Sequence, residues 1–372
     1  MHILFAGGGT AGHINPALAI AGYIKEKHPD AKISYIGTAK KLEAKLVPSA
    51  GYDFYTIDVA GFQRKLTPKN IIRNISAVSK AVTASIKARG LLKKLKPDVV
   101  VGTGGYVSGP VLKQAQKLGI KTAIHEQNAF PGITTKMLAT DADCVMLAFA
   151  EAEKYLRLNK KPVVTGNPVR QALIGVDREN ARKQLGIDGK PLILSFGGSL
   201  GARPINEAVT ELIKWHNENG EFYHIHATGK MGYDSMCENL RDVKLNGQIT
   251  VKEYIYDMDV CMAAADLVIG RAGAITLSEI QVCGKAAILI PSPYVAENHQ
   301  YHNAMTLKNI GAAEVIEEKF LTGEKLIETV KSLSNDKSIL KNMAQKAKEN
   351  AIADANERIY SQIMNLYNSN KK

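Results

Sequence analysis

Short apolar runs alternate with longer amphipathic stretches along almost the whole chain. The short runs are predicted to be strands, and they cover residues 2–6, 32–36, 53–57, 98–101, 121–125, 143–147, 192–196, 222–227, 248–252, 266–270 and 286–290. Amphipathic helical patterns fill the intervals, and this alternation predicts βαβ units built around parallel sheets. The run Val99-Val100-Val101 has no polar alternation, which is typical of a strand buried on both faces.

The strand–helix pattern begins a second time after residues 161–168, a segment with two prolines and a glycine. Such a segment is typical of a domain junction, and we predict one there. Each half opens with a strand that leads through the pattern G-G-[ST]-x-G into a helix, at Gly8–Gly12 and again at Gly197–Gly201. The sequence therefore predicts two α/β, Rossmann-like domains with parallel sheets that face a shared cleft, over residues 1–164 and 165–353.

Glycine-rich turns follow two strands of the first half that we expect to end at the same sheet edge. They are Gly7–His13 and Gly102–Tyr106, and the polar run His125–Asn128 ends a third strand. Glycine lets the backbone approach a ligand closely, and a helix N-terminus attracts anions. These turns indicate a ligand with a diphosphate group.

A dinucleotide is one alternative, because Gly7, Gly9 and Gly12 fit G-x-G-x-x-G. That site also needs an acid at the end of the second strand, where this chain has Gly37-Thr38. Two D-x-D pairs, at 141/143 and 257/259, are the candidate metal ligands; the first only precedes a strand and the second is predicted to cap a helix. We therefore predict neither a cofactor nor a metal.

The charge of the chain is unevenly distributed. Its formal net charge is +12, and no acidic residue occurs between Asp58 and Asp98. The basic residues in that interval are Arg64, Lys65, Lys69, Arg73, Lys80, Lys87, Arg89, Lys93, Lys94 and Lys96. Interleaved apolar residues fit a solvated helix with one face in the core, but such a helix does not explain why every charge has one sign. Lys and Arg are attracted to anionic lipid, so this stretch favours an anionic membrane surface. Only Phe62 offers an aromatic platform, which argues against nucleic acid.

Composition otherwise fits a protein of a reducing compartment. The four cysteines are far apart and share no metal-ligand spacing. No apolar run approaches the ~20 residues of a membrane-spanning helix, and the first residues enter a strand without a signal-peptide pattern. We expect a peripheral protein at the cytoplasmic face of the cell membrane.

Six motifs occur together in one order: Gly8–His13, Gly102–Tyr106, His125–Asn128, Gly166–Arg170, Gly197–Ser199 and Ala274–Glu279. In this order they resemble the bacterial UDP-N-acetylglucosamine transferases of peptidoglycan synthesis, which make lipid II from lipid I. The resemblance covers nearly the whole chain. It implies a GT-B fold with the acceptor on the first domain, the UDP-sugar on the second, and a last helix, about 354–372, that packs back on the first.

The resemblance also implies the residues of the site. The donor residues it implies are Thr10, Ala11, Gly12, Asn128, Arg170, Ser199, Ile255, Ala274, Ile275, Thr276, Leu277, Ser278, Glu279 and Gln300, and the acceptor residues are Gly104, Gly105 and Tyr106. The family usually has glycine at position 11, so we expect that position not to need a positive φ. It often has Gln-Gln where this chain has His299-Gln300.

The implied reaction moves N-acetylglucosamine from UDP-GlcNAc to lipid I, the undecaprenyl-diphosphate-linked N-acetylmuramoyl-pentapeptide, with inversion. His13 and Glu126 are the two candidate catalytic bases, since both are expected at one sheet edge. Ser199, Arg170 and helix N-termini are expected to meet the charge of the departing UDP without a metal. Two alternatives remain: a related diacylglycerol glycosyltransferase, and a nucleotide-sugar-binding scaffold without turnover.

Overall fold

The computed structural model describes residues 1–59, 68–334 and 336–370, and within 68–79 it describes the backbone but not the side chains. It divides into two compact units. The first contains Met1–Pro168 and Asp354–Lys372, and the second contains Val169–Ala353. The division follows Pro168, the last residue of the proline-containing segment 161–168 predicted as the junction, and lies four residues after the expected end of the first domain at 164.

The first unit is built on a seven-stranded sheet whose paired strands are all parallel. Its strands are β1 (His2–Gly7), β2 (Lys32–Gly37), β3 (Asp53–Thr56), β4 (Val99–Gly104), β5 (Lys121–Glu126), β6 (Cys144–Leu147) and β7 (Val163–Val164). They lie in the order β3-β2-β1-β4-β5-β6-β7. Val99, Val100 and Val101 are fully buried, which confirms the prediction of a strand covered on both faces.

Helices cover both faces of this sheet. They are α1 (Ala11–Lys27), α2 (Glu43–Ser49), α3 (Pro68–Leu95), α4 (Gly105–Lys117) and α5 (Ile133–Leu138). One core contains Ile14 of α1 together with Ile3 and Ala123 of the sheet. The other contains Val111 of α4 and Leu138 of α5 together with sheet residues such as Leu4 and Ile124. Alternate residues of β1 and β5 therefore face opposite helical layers.

The second unit repeats the arrangement with six parallel strands in the order β10-β9-β8-β11-β12-β13. They are β8 (Leu192–Phe196), β9 (Tyr223–Ala227), β10 (Ile249–Lys252), β11 (Leu267–Gly270), β12 (Ala286–Leu289) and β13 (Ala313–Val315). Its helices are α6 (Arg178–Leu185), α7 (Arg203–Asn219), α8 (Tyr233–Asn239), α9 (Met258–Ala264), α10 (Ala274–Cys283), α11 (His299–Asn309), α12 (Gly323–Ser334) and α13 (Lys337–Glu349). In each unit the strand order reverses beside the first strand, at β1/β4 and β8/β11. Ligands of doubly wound sheets bind at that point.

The last helix, α14 (Ala355–Ser369), lies in the first unit. Ile359 and Ile363 of α14 are fully buried in the same core as Ile14. At its surface, the hydroxyl of Tyr23 donates to Glu357 at 2.6 Å, and His28 Nε2 lies 2.7 Å from the hydroxyl of Tyr360. Within the described residues, none of the helices is long and apolar enough to cross a bilayer.

Two edge strands, β7 and β13, were not predicted. They contain only two and three residues, so neither offers a recognisable apolar run. β4 continues to Gly104, three residues beyond its predicted end. The glycines at its end therefore extend the strand before they make the turn.

Three buried histidines form a cluster at the sheet of the second unit, in which His224 and His226 belong to β9 and His216 belongs to α7. His216 stacks on Phe222 with ring centroids 3.9 Å apart, and the hydroxyl of Ser195 lies 2.7 Å from both His224 Nε2 and His226 Nδ1. Burial lowers the pKa of His216 to about 4 and the pKa of His226 to about 3, and it lowers the pKa of His224 well below its ordinary value. The folded state therefore holds all three as neutral rings at physiological pH.

We expect the second unit to lose stability as pH falls below about 6.5, because the unfolded chain then binds protons that the folded chain excludes. Each histidine contributes a slope of up to about 1.4 kcal/mol per pH unit, and the loss continues towards the folded-state pKa values. Urea unfolding of the full chain, followed by the fluorescence of Trp215 in the second unit, measures this effect.

The free energy of unfolding should fall between pH 7.5 and 5.5. His216→Gln should make the acid slope shallower. An identical slope in that variant would contradict the assignment of the slope to this cluster.

Candidate active site

Three neighbouring strands of the first unit, β1, β4 and β5, bring their predicted site residues to one sheet edge. The segment Thr10–His13 follows β1 and begins α1, Gly104–Tyr106 joins β4 to α4, and Glu126–Asn128 ends β5. All of the strands are parallel, so these loops emerge side by side. Thr10, Ala11, Gly12 and Tyr106 are exposed there.

The two glycine turns of this edge touch through their backbones. Thr103 Oγ1 donates to the backbone oxygen of His13 at 2.8 Å. A Cβ atom on Gly105 would lie 2.3 Å from the backbone oxygen of Gly8, and one on Gly104 would lie 2.6 Å from Nδ1 of His13. Gly104 and Gly105 also have positive φ values of 104° and 78°. Glycine is therefore required at both positions, and the imidazole of His13 lies directly against Gly104.

Ala11 is the first residue of α1. In the described part of the chain, the non-glycine residues with positive φ are Lys96, Glu297 and Asn298. Ala11 is not among them, which confirms the expectation that this position does not need a positive φ.

The carboxylate of Glu126 is buried and fully occupied. Its Oε1 accepts from the backbone N and the Nδ2 of Asn128 at 3.0 and 3.1 Å, and its Oε2 accepts from the backbone N of Gly132 at 3.1 Å and from Thr135 Oγ1 at 2.5 Å. Both oxygens are thus committed to the loop between β5 and α5. Glu126 fixes the position of Asn128 and has no open lone pair directed at a reactant.

His13 is only partly buried, and its two ring nitrogens differ. Nδ1 lies 3.2 Å from Oε1 of Gln127, whereas the structure gives Nε2 no hydrogen-bond partner among the described residues. A neutral imidazole whose second nitrogen is unoccupied can accept a proton. Of the two predicted bases, His13 has the geometry that this role requires.

The second unit has a corresponding edge, formed by β8, β11 and β12. Ser199 is exposed in the turn after β8, and α10 begins at Ala274 after β11. A Cβ atom on Gly201, whose φ is +85°, would lie 2.2 Å from the backbone oxygen of Thr228. Here too a glycine turn rests directly on a neighbouring backbone.

The start of α10 carries most of the predicted donor residues. The first intrahelical bond runs from Leu277 N to Gly273 O at 3.0 Å. Ile275 and Thr276 are half-buried, whereas Leu277 is fully buried and packs into the core. The helix N-terminus can therefore attract an anion through its backbone N–H groups, and Leu277 can take part only through its backbone.

Two predicted donor residues bind each other. Arg170 Nε donates to Glu279 Oε1 at 2.9 Å, and the Glu279 side chain is 10% exposed while that of Arg170 is 54% exposed. Burial raises the pKa of Glu279, and the Arg170 guanidinium acts in the opposite direction. The ion pair thus favours the ionised form of an otherwise desolvated carboxylate, which can accept further hydrogen bonds through Oε2.

Two predicted donor residues lie elsewhere on this edge. Ile255 follows β10 and is buried, so it can offer only its backbone to a ligand. Gln300, in the first turn of α11, accepts from the backbone N of Ser292 through Oε1 at 2.9 Å. The Nε2 group of Gln300 is therefore the part of the side chain that could donate hydrogen bonds to a ligand. Just before α11, Glu297 and Asn298 have φ values of +54° and +50°, a conformation that non-glycine residues adopt only where the surroundings hold them.

Comparison with known proteins decides the family. The model of the glycosyltransferase family 28 N-terminal domain matches residues 3–147, and that of the family 28 C-terminal domain matches residues 192–359. The chain belongs to glycosyltransferase family 28. The family 28 chain is thus a hexosyltransferase, and its two Rossmann-like units are those of a GT-B fold.

Curated relatives and a solved structure support the same assignment to a family. The chain is 49% identical, over 98% of both lengths, to the UDP-N-acetylglucosamine–N-acetylmuramyl-(pentapeptide) pyrophosphoryl-undecaprenol N-acetylglucosamine transferase of Acetivibrio thermocellus. It is 48% identical to the protein of the same name from Ruminiclostridium cellulolyticum, over 98% of this chain and 100% of that relative. The crystal structure of Acinetobacter baumannii MurG aligns with 98% of this chain and 99% of the MurG chain, with 31% sequence identity and a TM-score of 0.80. The resemblance found in the motifs is confirmed.

Glu43 is a site residue of this family 28 chain that the sequence did not reveal. Its fully buried carboxylate accepts from the backbone N of Gly9 and of Thr38, each at 3.1 Å, and from Thr38 Oγ1 at 2.7 Å. It thus holds the glycine turn that precedes His13. Glu43 stands among lysines in residues 40–45, and that pattern is typical of a solvated helix start.

The D-x-D pairs have other roles in the family 28 chain. Asp141 pairs with Lys113 at 2.7 Å, and Asp143 accepts from the backbone N of Thr122 at 3.0 Å. Asp257 stands at the N-cap of α9 but makes no side-chain cap bond, so the predicted cap was wrong in that respect. Within the described residues, no three His, Cys, Asp or Glu side chains are grouped to hold a metal ion.

Proposed function

We propose that this family 28 enzyme transfers N-acetylglucosamine from UDP-GlcNAc to the 4-hydroxyl of the N-acetylmuramoyl-pentapeptide on undecaprenyl diphosphate, converting lipid I to lipid II. The observation that carries the proposal is the 49% identity over 98% of the chain to a relative whose name states this reaction. The two sheet edges supply chemistry that fits each substrate.

The donor is assigned to the edge of the second unit. The backbone N–H groups at the start of α10, the hydroxyl of Ser199 and the half-exposed guanidinium of Arg170 oppose the charge that develops on the departing diphosphate. Glu279 accepts hydrogen bonds from the ribose hydroxyls, Ile255 reads the uracil through its backbone, and Gln300 donates to a sugar hydroxyl. Four residues of the first unit remain predicted contacts of the donor: Thr10, Ala11, Gly12 and Asn128.

The acceptor is assigned to the edge of the first unit, where Gly104, Gly105 and Tyr106 lie beside His13. His13 accepts the proton of the acceptor hydroxyl, the hydroxyl oxygen bonds to the anomeric carbon, and the bond from that carbon to the diphosphate oxygen breaks. The single displacement inverts the anomeric centre from α to β. Glu126 positions the loop and is the weaker candidate base, because four donors already occupy its oxygens.

The basic residues between Asp58 and Asp98 are proposed to contact an anionic membrane surface. Arg64 and Lys65 lie outside the described residues, as do the side chains of Lys69 and Arg73. In the described part, Val82 and Ile86 are 56% and 68% exposed, one turn apart on α3. On α5, Ile133 and Met137 are 54% and 70% exposed with the same spacing, and α4 packs against both helices.

Exposed apolar side chains at this spacing, on helices that also carry lysines, fit the interface of an anionic leaflet. The proposal places the enzyme peripherally at the cytoplasmic face, with no nucleic acid as a partner. The lipid part of the acceptor lies in that surface.

Release of UDP from UDP-GlcNAc should occur only when lipid I is added. His13→Ala should lower kcat by about 10²–10⁴-fold with little change in the donor KM, because general-base catalysis typically accelerates a reaction by that factor. His28→Ala is the matched control, since His28 lies in the same unit and pairs with Tyr360. Steady-state measurement of UDP release checks both statements.

UDP release with diacylglycerol would favour the glycolipid synthase, and no turnover with either acceptor would favour the binding scaffold. Normal kcat in His13→Ala together with loss in Glu126→Gln would reassign the base to Glu126.

Glu279→Ala should weaken UDP and UDP-GlcNAc alike, by about 1–3 kcal/mol for a lost charge-assisted hydrogen bond. Calorimetry measures both affinities. Glu207→Ala is the matched control, because Glu207 also pairs with an arginine, Arg203, at 2.7 Å but on the exposed face of α7. Unchanged UDP affinity in Glu279→Ala would remove Glu279 from the donor site.

Binding to anionic vesicles should fall as salt rises, since exposed charges are screened beyond about 8 Å at physiological ionic strength. Reversal of Lys65, Lys69 and Arg73 to Glu should abolish binding and leave UDP affinity intact. Reversal of Lys183, Lys337 and Lys341, which are exposed in described parts of the second unit, is the matched control and should have little effect. Vesicle sedimentation measures the bound fraction, and binding that does not change with salt would contradict the electrostatic contact.

A further inference from the structure

A buried glutamine joins two histidines of the first unit. Gln127 is 2% exposed; its Oε1 lies 3.2 Å from Nδ1 of His13, and its Nε2 lies 3.0 Å from Nδ1 of His125. Nε2 also donates to the backbone oxygen of His125 at 2.8 Å. Every polar atom of this side chain is thus engaged, and its partners lie on two different elements.

The orientation of the Gln127 amide follows from one of these contacts. A backbone carbonyl only accepts hydrogen bonds, so the atom 2.8 Å from the oxygen of His125 must be the amide nitrogen. The amide oxygen then faces His13, and an oxygen of this kind only accepts. Nδ1 of His13 must therefore carry the hydrogen, which leaves the lone pair of the neutral ring on Nε2.

His125 supports the same orientation from the other side. The second amide hydrogen of Gln127 points at Nδ1 of His125, so that nitrogen accepts, and Nε2 of His125 donates to the backbone oxygen of Gly166 at 2.9 Å. The ring is fully enclosed, and burial lowers the pKa of His125, which keeps it neutral. A proton on its Nδ1 would confront the amide N–H groups and disrupt the network.

The backbone also holds the glutamine and the imidazole of His13 in place. Asn167 Nδ2 donates to the backbone oxygen of Gln127 at 3.2 Å. The ring of His13 lies against Gly104, where any Cβ atom would overlap it. The ring and its partner are therefore fixed by the same edge of the sheet.

We propose that Gln127 is a positioning residue that holds His13 in the Nδ1–H tautomer and so presents Nε2 to the acceptor hydroxyl. The inference rests on the proposed function, in which His13 is the base. A neutral imidazole in water prefers the Nε2–H form, which would place a hydrogen on the nitrogen that must accept one. When Nε2 takes the hydroxyl proton, Nδ1–H keeps its bond to the amide, and the electron pair of the broken glycosidic bond leaves with UDP.

The tautomer can be read without turnover. Long-range ¹H–¹⁵N correlation spectra of the full chain labelled with [¹⁵N]histidine distinguish the two ring nitrogens, and His13→Gln assigns the His13 signals. Wild type should show His13 as Nδ1–H at a pH where the ring is neutral. An Nε2–H signal for His13 in the wild type would overturn the proposal, even if no variant of Gln127 folded.

Gln127→Met removes the amide but keeps the length of the side chain. It should shift His13 towards Nε2–H and lower kcat about 10- to 100-fold with the donor KM unchanged, since a base held in the wrong tautomer loses its function. Gln116→Met is the matched control, because Gln116 also donates to a backbone carbonyl, that of Leu138 at 3.2 Å, away from this edge. It should change neither the tautomer nor kcat.

In a His13→Ala background, Gln127→Met should cost less than a further twofold in kcat. An independent loss there would overturn the positioning role, and so would an unchanged His13 tautomer in Gln127→Met. If His13→Ala kept the wild-type kcat, the role of Gln127 in catalysis would fall together with the proposed base. The spectra would then show whether the tautomer network itself is intact, so the two failures are distinguishable.

Discussion

Neighbouring parallel strands deliver their turns to the same edge of a sheet, and in this protein those turns meet at backbone contact distance. A Cβ atom would lie 2.3 Å from a carbonyl oxygen at Gly105 and 2.2 Å from one at Gly201. No side chain can be accommodated there, so glycine is imposed before any ligand is considered. In the site, each glycine turn is therefore supported by the backbone of a neighbouring turn. The helix N-termini that follow the turns are held in fixed directions.

Buried carboxylates provide the second constraint, because a desolvated charge is tolerated only where several donors surround it. Glu43 receives two backbone N–H groups and a hydroxyl, and Glu126 receives four donors within its own loop. Glu279 instead receives one arginine at one oxygen. Glu43 and Glu126 are therefore committed to holding turns, while Glu279 keeps acceptor capacity for a ligand.

The two parallel sheets and the turns that carry the site could be predicted, because they depend on local apolar runs and glycine patterns. The side-chain partners could not. Gly9 and Glu43 are separated by 34 residues, and nothing near Glu43 indicates that it is buried. The predicted donor run Ala274–Glu279 includes Leu277, whose side chain packs into the core, since a helix directs only some of its residues to the edge. The edge strands β7 and β13 were not predicted, because two or three residues are too few to show an apolar run or an alternation of polar and apolar positions.

The roles within His125–Asn128 follow from the pleat of β5, in which successive side chains point to opposite faces. Ala123 lies in the core with Ile14 of α1, and Ile124 lies in the core with Leu138 of α5. Continued by three residues, one past the end of the strand, this alternation sends His125 and Gln127 towards α1 and its His13, and sends Glu126 towards α5 and its Thr135. Glu126 and His13 are thus directed to different layers although both reach one edge. The two-residue period of a strand thus explains why His125 and Gln127 share a hydrogen-bond network. Glu126, which lies between them in the sequence, is excluded from it.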